Sequence, residues 1–297
     1  MRTVLKPMLK GLISVFLLTP VICGAQDAAS GIDAATLAKA NAGDAAAEWQ
    51  VGLDYQQGDI VGRDFVQAEA WLKKAADQGY AQAELALGLL LEKRNSGIAE
   101  DDAQAAGLLR KAADQGLAEA QYQLALSYRH GIGVTEDNAQ AAAWLQKAAQ
   151  QKNANAMAEL ADLYAHGQGV GKDEKQTFAL ATQAAALGSA QGEYELGLAY
   201  EAGQGTKKDK GQATDWYRKA ADQGLAQAQL GLALLMGSNH AEAYFWASLA
   251  APRLQGELAD KATYLRDTSA DRLSPAEKDA ADKRIELWRP VHPGRPN

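Results

Sequence analysis

Apolar residues recur along most of the chain at helical spacing, in blocks that return about every 36 residues. Between residues 118 and 130, Ala120, Leu124 and Tyr128 share one face of a helix, because positions four apart lie on the same side. A second block, over residues 137–149, carries Trp144 on its apolar face. The pattern predicts pairs of helices joined by short loops, which we call helix A and helix B of each unit.

Six copies of this unit follow one another. Their first residues lie 36, 37, 36, 36 and 36 positions apart, and they are Gly43, Gly79, Gly116, Lys152, Gly188 and Gly224. Such a fixed period is typical of solenoids, in which each unit buries its apolar face against its neighbours. We therefore expect an all-α fold, an α/α superhelix of six helix-turn-helix repeats over residues 42–251.

A glycine-rich loop and an aspartate separate helix A from helix B. Gly131-Ile132-Gly133-Val134 is one example, and its first glycine suits the left-handed conformation that ends a helix. An aspartate follows in position to cap helix B, at Asp64, Asp101, Asp137, Asp173 and Asp209. A phosphate-binding role for the loops is disfavoured, because they follow helices and not strands. The second copy departs from this pattern, with residues 93–97 in place of the loop.

Three repeated positions predict how the units fill their interior. One slot on helix B holds Trp71, Trp144, Trp216 and Trp246. These tryptophans could form a stacking platform for sugars or bases, but a fixed place on an apolar face favours the core. A slot on helix A holds Tyr55, Tyr128, Tyr164 and Tyr200. A third is small, with Gly52, Gly88, Ala125, Ala161, Gly197 and Ala233, and predicts that another helix crosses closely there.

The array is flanked by segments of other character. Residues 26–41 are expected to form an N-terminal cap around a helix at 33–40. Residues 252–289 predict two further helices, at 254–267 and 275–288, and the second begins with a capping box between Ser274 and Glu277. Residues 290–297, which contain three prolines, are expected to be disordered.

The first 25 residues predict a cleavable signal peptide. Arg2, Lys6 and Lys10 precede a short apolar core, and small residues end at Ala25, after which we expect the cut. Removal of these three cations from a chain of formal charge −7 leaves −10. Cys23, the single cysteine, could instead be an acylated first residue, but the residues before it do not favour lipidation. The localisation expected is periplasmic or secreted, with no stable membrane span in the mature form.

The combined motifs resemble those of the Sel-1-like repeat family, which is related to the tetratricopeptide fold. The likeness rests on the 36-residue period, the GxG loop and the WLQKAA ending of the third unit, and it covers residues 42–251. The absence of proline between Gln26 and Ala251 separates the array from tetratricopeptide repeats, which usually end their second helix with one. The resemblance implies a solenoid used for protein–protein contact.

Residues with catalytic or metal-binding potential are sparse. His130 and His166 occupy the same position in adjacent copies, on the order of 10 Å apart, too far to share one zinc ion. A cysteine-rich subset of the family is associated with β-lactam compounds, and this chain lacks those cysteines. We therefore predict no enzyme activity, cofactor or metal, and the acidic total disfavours nucleic acid as partner.

The exposed face of helix A is the predicted binding surface. The fourth and eighth positions of each unit lie within about 40° of each other on a helical wheel, opposite the apolar face. Their side chains are mostly polar, and the predicted partner-binding residues are Gln50, Gln82, Glu119, Gln123, Asn155, Glu159, Gln191, Glu195 and Gln227. Stacked A helices usually line the concave wall of a solenoid. We expect a partner's peptide or helix there, although an ordinary solvated surface is the competing interpretation.

These expectations give a leading function and an alternative. The leading one is an exported monomeric scaffold, adaptor or inhibitor that binds an envelope component or a secreted toxin effector. Some exported proteins of the resembled family look like immunity proteins against envelope-directed toxins, and others support envelope assemblies. The alternative is an enzyme or binding protein acting on cell-wall or β-lactam-like substrates.

Overall fold

The chain folds into stacked helical hairpins. A computed structural model describes residues 31–95 and 99–291, and over these residues it contains fifteen α-helices and no strand. The A helices are α2 (Ala45–Gln57), α4 (Ala81–Asn95), α6 (Ala118–His130), α8 (Ala154–His166), α10 (Ala190–Ala202) and α12 (Ala226–Leu235). The B helices are α3 (Phe65–Asp77), α5 (Ala99–Asp114), α7 (Asn138–Gln150), α9 (Glu174–Ala186), α11 (Lys210–Asp222) and α13 (His240–Ala250).

Three more helices flank the six repeats. They are α1 (Ala34–Asn41), α14 (Gly256–Ala270) and α15 (Pro275–Val291). The first packs on α2, and the last two both pack on α13. The predicted signal peptide, with Cys23, and residues 292–297 of the predicted tail lie outside the described residues. Within the described ranges, no helix combines the length and the apolar character needed to cross a bilayer.

The helix boundaries follow local capping chemistry. Gly131 adopts φ 67° and ends α6, and the Asp137 carboxylate accepts hydrogen bonds from the first N–H groups of α7, at 2.9 and 3.0 Å. The predicted caps are confirmed at Asp64, Asp137, Asp173 and Asp209. The prediction for Asp101 is wrong, because α5 begins at Ala99 and Asp101 lies inside it. Residues 96–98 of that atypical loop lie outside the described residues.

The terminal segments differ slightly from the sequence expectation. Helix α14 begins two residues later than predicted, because a 3₁₀ turn at Ala251–Arg253, which contains Pro252, precedes it. It also ends three residues later than predicted, at Ala270. Helix α15 begins at Pro275 as predicted but extends to Val291. Its capping box is formed, with Glu277 accepting from the Ser274 N–H and hydroxyl at 2.8 and 2.7 Å.

The predicted close crossing of helices A and B is confirmed at the glycines. A Cβ atom added at Gly52 would lie 2.7 Å from Leu72 Cγ, and one added at Gly197 would lie 2.5 Å from the Tyr217 ring. The hairpins α2–α3 and α10–α11 therefore close against a large side chain from helix B, which needs a glycine on helix A. The hairpins then stack, because each B helix also packs on the next A helix along the chain.

The second glycine of each GxG loop joins neighbouring repeats. A Cβ atom at Gly133 would lie 2.0 Å from the Asp102 carbonyl oxygen, and one at Gly205 would lie 2.1 Å from that of Glu174. Both positions have positive φ. The loop thus rests directly on the backbone at the start of the preceding B helix, which gives it a packing role.

The tryptophan slot is only partly interior. Trp144 and Trp246 are buried, whereas Trp71 and Trp216 are half-buried. Three of the four carry a lysine ammonium over the ring, 3.6–3.7 Å from its centre, and the pairs are Trp71 with Lys74, Trp144 with Lys147 and Trp216 with Lys219. The lysine covers the outer ring face, so these tryptophans close the core and do not present a bare platform.

Candidate functional site

The A helices form a surface of their own, which we call the inner face. Helix α2 contacts α4, and α8 contacts α10, although a B helix lies between each pair in the sequence. The solvent-facing side chains of these helices come from positions 4, 7, 8, 11, 14 and 15 of each unit, because those positions share one side of a helix. The inner face therefore includes the predicted stripe and the rows beside it.

The predicted binding residues differ in exposure. Gln50, Gln82 and Asn155 are exposed, and Glu195 is only 4% exposed. The others are half-buried: Glu119, Gln123, Glu159, Gln191 and Gln227. Eight of the nine predicted residues are therefore at least partly exposed to solvent.

Hydrogen bonds connect several of these residues. Gln123 Nε2 donates to Glu119 Oε1 at 2.8 Å, and Asn153 from the next repeat donates to the other oxygen of Glu119 at 3.0 Å. Asn155 Oδ1 accepts from the Ser189 hydroxyl at 3.1 Å. The stripe is therefore held in place across repeats before any partner binds.

Glu195 corrects the expected negative character of the stripe. It was expected to be exposed, but it lies against α8 and accepts a 2.8 Å hydrogen bond from Gln191 Nε2. Burial, reinforced by the charges of Asp162 and Glu159, raises its pKa to about 8. At neutral pH the protonated form therefore predominates, and Glu195 adds little negative charge to the surface.

An ionic cluster lies at the centre of the inner face. Arg129 on α6 donates to both Glu159 and Asp162 on α8, with side chains about one-fifth exposed. His166 Nδ1 lies 2.9 Å from Asp162 Oδ1. We call Arg129, Glu159, Asp162 and Glu195 the central cluster. Glu159 and Glu195 were predicted from helical spacing, but Arg129 and Asp162 were not, because they differ from the residues at the same positions of the other repeats.

Two tyrosines border the central cluster. Burial raises the pKa of Tyr122, and the nearby charges of Glu159 and Glu119 raise it further. Burial likewise raises the pKa of Tyr194 to about 12, with Glu195 the next cause. Both phenols therefore stay protonated at neutral pH, and the ring of Tyr194 packs against Tyr217 with centroids 5.6 Å apart.

An apolar cleft occupies the inner face of the first two repeats. It has a volume of about 500 Å³ and lies between α2 and α4. Trp49, Leu53, Leu85 and Leu89 line it and are half-buried, and Phe65 from α3 is 39% exposed. The cleft was not predicted from positions 4 and 8, because its apolar walls come from positions 7 and 11 of the first two repeats.

Groups with metal-binding chemistry do not converge. In residues 31–95 and 99–291, no three His, Cys, Asp or Glu side chains are grouped as a metal site. His130 and His166 are the last residues of α6 and α8, where a cation is favoured by the helix dipole. The inner face therefore offers apolar contact, hydrogen bonding and ionic contact to a ligand.

Comparisons with known proteins agree with this architecture. The Sel1 repeat family model matches residues 45–80, 81–117, 118–153, 154–189, 190–225 and 224–251. No curated protein matches the sequence.

Solved structures extend the likeness. A protective antigen present in uropathogenic Escherichia coli strains, displaying an SLR fold, is 29% identical with a TM-score of 0.75 over 86% of this chain and 55% of that one. A Sel1 repeat protein from Oxalobacter formigenes is 29% identical with a TM-score of 0.59, over 66% of this chain and 80% of its own. An immunity protein from Pseudomonas aeruginosa is 23% identical over 76% of this chain and 81% of its own, but its TM-score of 0.45 carries no functional argument. The chain thus spans about half the length of the first of these structures.

Proposed function

The chain belongs to the Sel1-repeat family, and from that premise we propose that it is a non-catalytic scaffold that binds a partner protein through its inner face. Sel1-repeat proteins are protein-interaction scaffolds. The observation that carries the proposal for this chain is the inner face itself, where an apolar cleft and a polar, ionic surface adjoin on neighbouring A helices.

The energetics of this surface support a protein partner. Apolar side chains that stay half-exposed in the free protein gain roughly 25 cal/mol for each Å² removed from water. Glu119, Gln123 and Asn155 already have hydrogen-bond partners within the fold, so these side chains lose little conformational freedom when a ligand binds. Repeat proteins use extended surfaces of this kind for binding.

We also propose a cellular location and a class of partner for this scaffold. We propose export to the periplasm, which rests on the composition of the first 25 residues. The partner classes proposed are an envelope component or an envelope-directed toxin, for which the chain would serve as an immunity protein. Both classes present a folded protein to an exported solenoid, and each would need the inner face to be accessible.

Site-specific photo-crosslinking tests this proposal. A photoreactive phenylalanine analogue replaces the exposed Gln82 or Asn155 on the inner face, or Lys73 or Arg218 on B helices as matched exposed controls. The full chain is expressed in its own cells and irradiated. The expected result is an adduct with one protein from both inner positions and from neither control. Adducts from the controls alone, or from none of the four positions, would overturn the proposal.

A further inference from the structure

The edge of the apolar cleft is positively charged, although the chain as a whole is acidic. The chain has 37 Asp and Glu against 30 Lys and Arg, yet none of the twelve residues that line the cleft is acidic. Two of them, Arg63 and Lys93, are cations, and both are exposed. The cleft therefore combines apolar walls with a positive edge.

The position of Arg63 is fixed by the end of helix α2. Its Nε and Nη2 atoms donate to the Gln57 carbonyl oxygen at 3.3 and 3.1 Å. That carbonyl belongs to the last turn of the helix, where backbone acceptors lack partners within the helix. Because this guanidinium is already held in place, little side-chain entropy is lost when it pairs with a carboxylate.

Acidic residues close to the lining in the sequence have other hydrogen-bond partners. Asp64, which follows Arg63, accepts from the first N–H groups of α3 at 2.9 and 3.0 Å. Glu92, beside Lys93 on α4, is directed toward the next repeat, where the Ser127 hydroxyl lies 3.5 Å from its Oε1 atom. Asp54 on α2 is buried and accepts a 3.0 Å hydrogen bond from Gln50 Nε2. The positive edge of the cleft is therefore not neutralised from within its own lining.

We propose that this cleft binds an acidic segment of the partner protein, in which a large apolar side chain is flanked by carboxylates. The apolar side chain enters between Leu53, Leu85 and Leu89, and the carboxylates pair with Arg63 and Lys93. The inference rests on the proposed function and names the chemistry of the partner at one end of the inner face. A cationic segment is disfavoured there, because its charges would face two like charges at the edge.

The volume and the walls of the cleft suit a short apolar segment of a partner. A volume of about 500 Å³ falls in the range of roughly 300–1,000 Å³ that is usual for ligand pockets. The Trp49 ring packs against Tyr80 at 5.8 Å between centroids, which holds one wall in place. Rigid aromatic walls and an anchored arginine are the features that concentrate binding energy at interfaces.

Fluorescence anisotropy with synthetic peptides tests the inference. The probe is a fluorescein-labelled Asp-Asp-Leu-Phe-Asp-Asp peptide, and the controls replace either the four Asp with Lys or the Leu-Phe pair with Ala-Ala. The full mature chain should bind the probe at least about tenfold more tightly than either control, and added salt should weaken binding. Equal affinity for the acidic and basic peptides would overturn the inference.

Matched variants locate the binding site. Lys93→Glu and Leu89→Asp should each weaken probe binding by about tenfold, because they remove the edge charge or an apolar contact. Lys208→Glu on an exposed loop and Leu258→Asp on α14, where Leu258 is 45% exposed, should leave binding within about twofold. Because Lys93 is exposed, the charge reversal Lys93→Glu should not disturb the fold, and it keeps the test valid even if Leu89→Asp fails to fold. Unchanged probe binding by Lys93→Glu, with native circular dichroism, would contradict the assignment.

The two proposals can fail separately. If the peptide does not bind but Asn155 still crosslinks a protein, the cleft assignment is wrong and the scaffold proposal stands. If the peptide fails and the inner positions give no adduct, both are wrong.

Discussion

Gln223 Nε2 donates a 2.8 Å hydrogen bond to Oε2 of the buried Glu193, which lies 30 residues earlier in the chain. The same relationship recurs in three other repeats, joining Gln78 to Glu48, Gln115 to Glu84 and Gln151 to Gln121. In the fourth repeat the two corresponding residues are Met157 and Leu187, so both positions become apolar together. In four repeats the end of the B helix is therefore tied to its own A helix by this hydrogen bond, and in the fourth repeat both members of the pair are replaced by apolar residues.

The pair predicts a coupled effect on stability. Gln223→Leu leaves the buried Glu193 carboxyl without this donor and should lower the free energy of unfolding by about 1–3 kcal/mol. Adding Glu193→Met reproduces the Met157–Leu187 arrangement and should recover most of that loss. Urea unfolding followed by circular dichroism measures all three variants as a double-mutant cycle. Additive losses would show that the two positions are independent.

Arg129 should be the most sensitive residue of the central cluster. Arg129→Ala leaves Glu159 and Asp162, both about four-fifths buried, without their shared cation. We expect a loss of about 2–4 kcal/mol in the free energy of unfolding. Lys172→Ala, which breaks the exposed pair with Glu174, is the matched control and should cost less than about 1 kcal/mol. Equal losses for the two variants would mean that burial of the cluster does not matter.

Glu195 predicts a dependence of stability on pH. In the folded chain its pKa is raised to about 8, above the ordinary value of 4.5. Between these values the folded state holds a proton that the unfolded state has lost, so this contribution to stability falls as pH rises. The slope is roughly 1.4 kcal/mol for each pH unit, and it ends above about pH 8.

The variant Glu195→Gln isolates this contribution. Glutamine resembles the protonated carboxyl, so the variant should be the more stable protein at pH 8.5 and should show a flatter pH profile between pH 5 and 8. The charged groups that face the site, Arg129, Glu159 and Asp162, are kept in both proteins. Urea unfolding at several pH values is the measurement, with the exposed Glu174→Gln as control. Parallel profiles for Glu195→Gln and the native chain would contradict the assignment.

Gly197 and Gly107 should respond oppositely to alanine. A Cβ atom at Gly197 would meet the Tyr217 ring at 2.5 Å, so Gly197→Ala should destabilise the fold by about 1–3 kcal/mol. Gly107 lies inside α5 with open space around it, and Gly107→Ala should stabilise the fold by about 0.5–1 kcal/mol. Thermal unfolding distinguishes the two cases, and a shift of the same sign in both variants would argue against a close crossing at Gly197.

Much of the fold could be predicted because each repeat carries its own start and stop signals. Gly131 and Asp137 determine where α6 ends and α7 begins, and both act within a few residues of themselves. Asp101 shows the limit of such reasoning. The second unit lacks the usual loop, so α5 begins at Ala99 and the aspartate at the expected position no longer lies at a helix end.

The site was less predictable, because side-chain exposure depends on neighbouring repeats. Glu195 and Glu159 occupy equivalent positions, yet one is 4% exposed and the other about one-fifth exposed. Helical spacing alone cannot distinguish them, since the difference arises from packing between α8 and α10. Arg129 and Leu89 were missed for a related reason, because their importance comes from what lies beside them on another helix.

Binding of the crosslinked partner by two double variants tests the central claim most directly. Gln123→Lys with Asn155→Lys alters the inner face, and Lys73→Glu with Arg218→Glu alters exposed positions on B helices. The partner's dissociation constant, measured by calorimetry on variants with native circular dichroism, should rise by at least about tenfold for the inner pair and by less than about twofold for the outer pair. Weaker binding by the outer pair, with the inner pair unchanged, would contradict the claim that the inner face binds the partner.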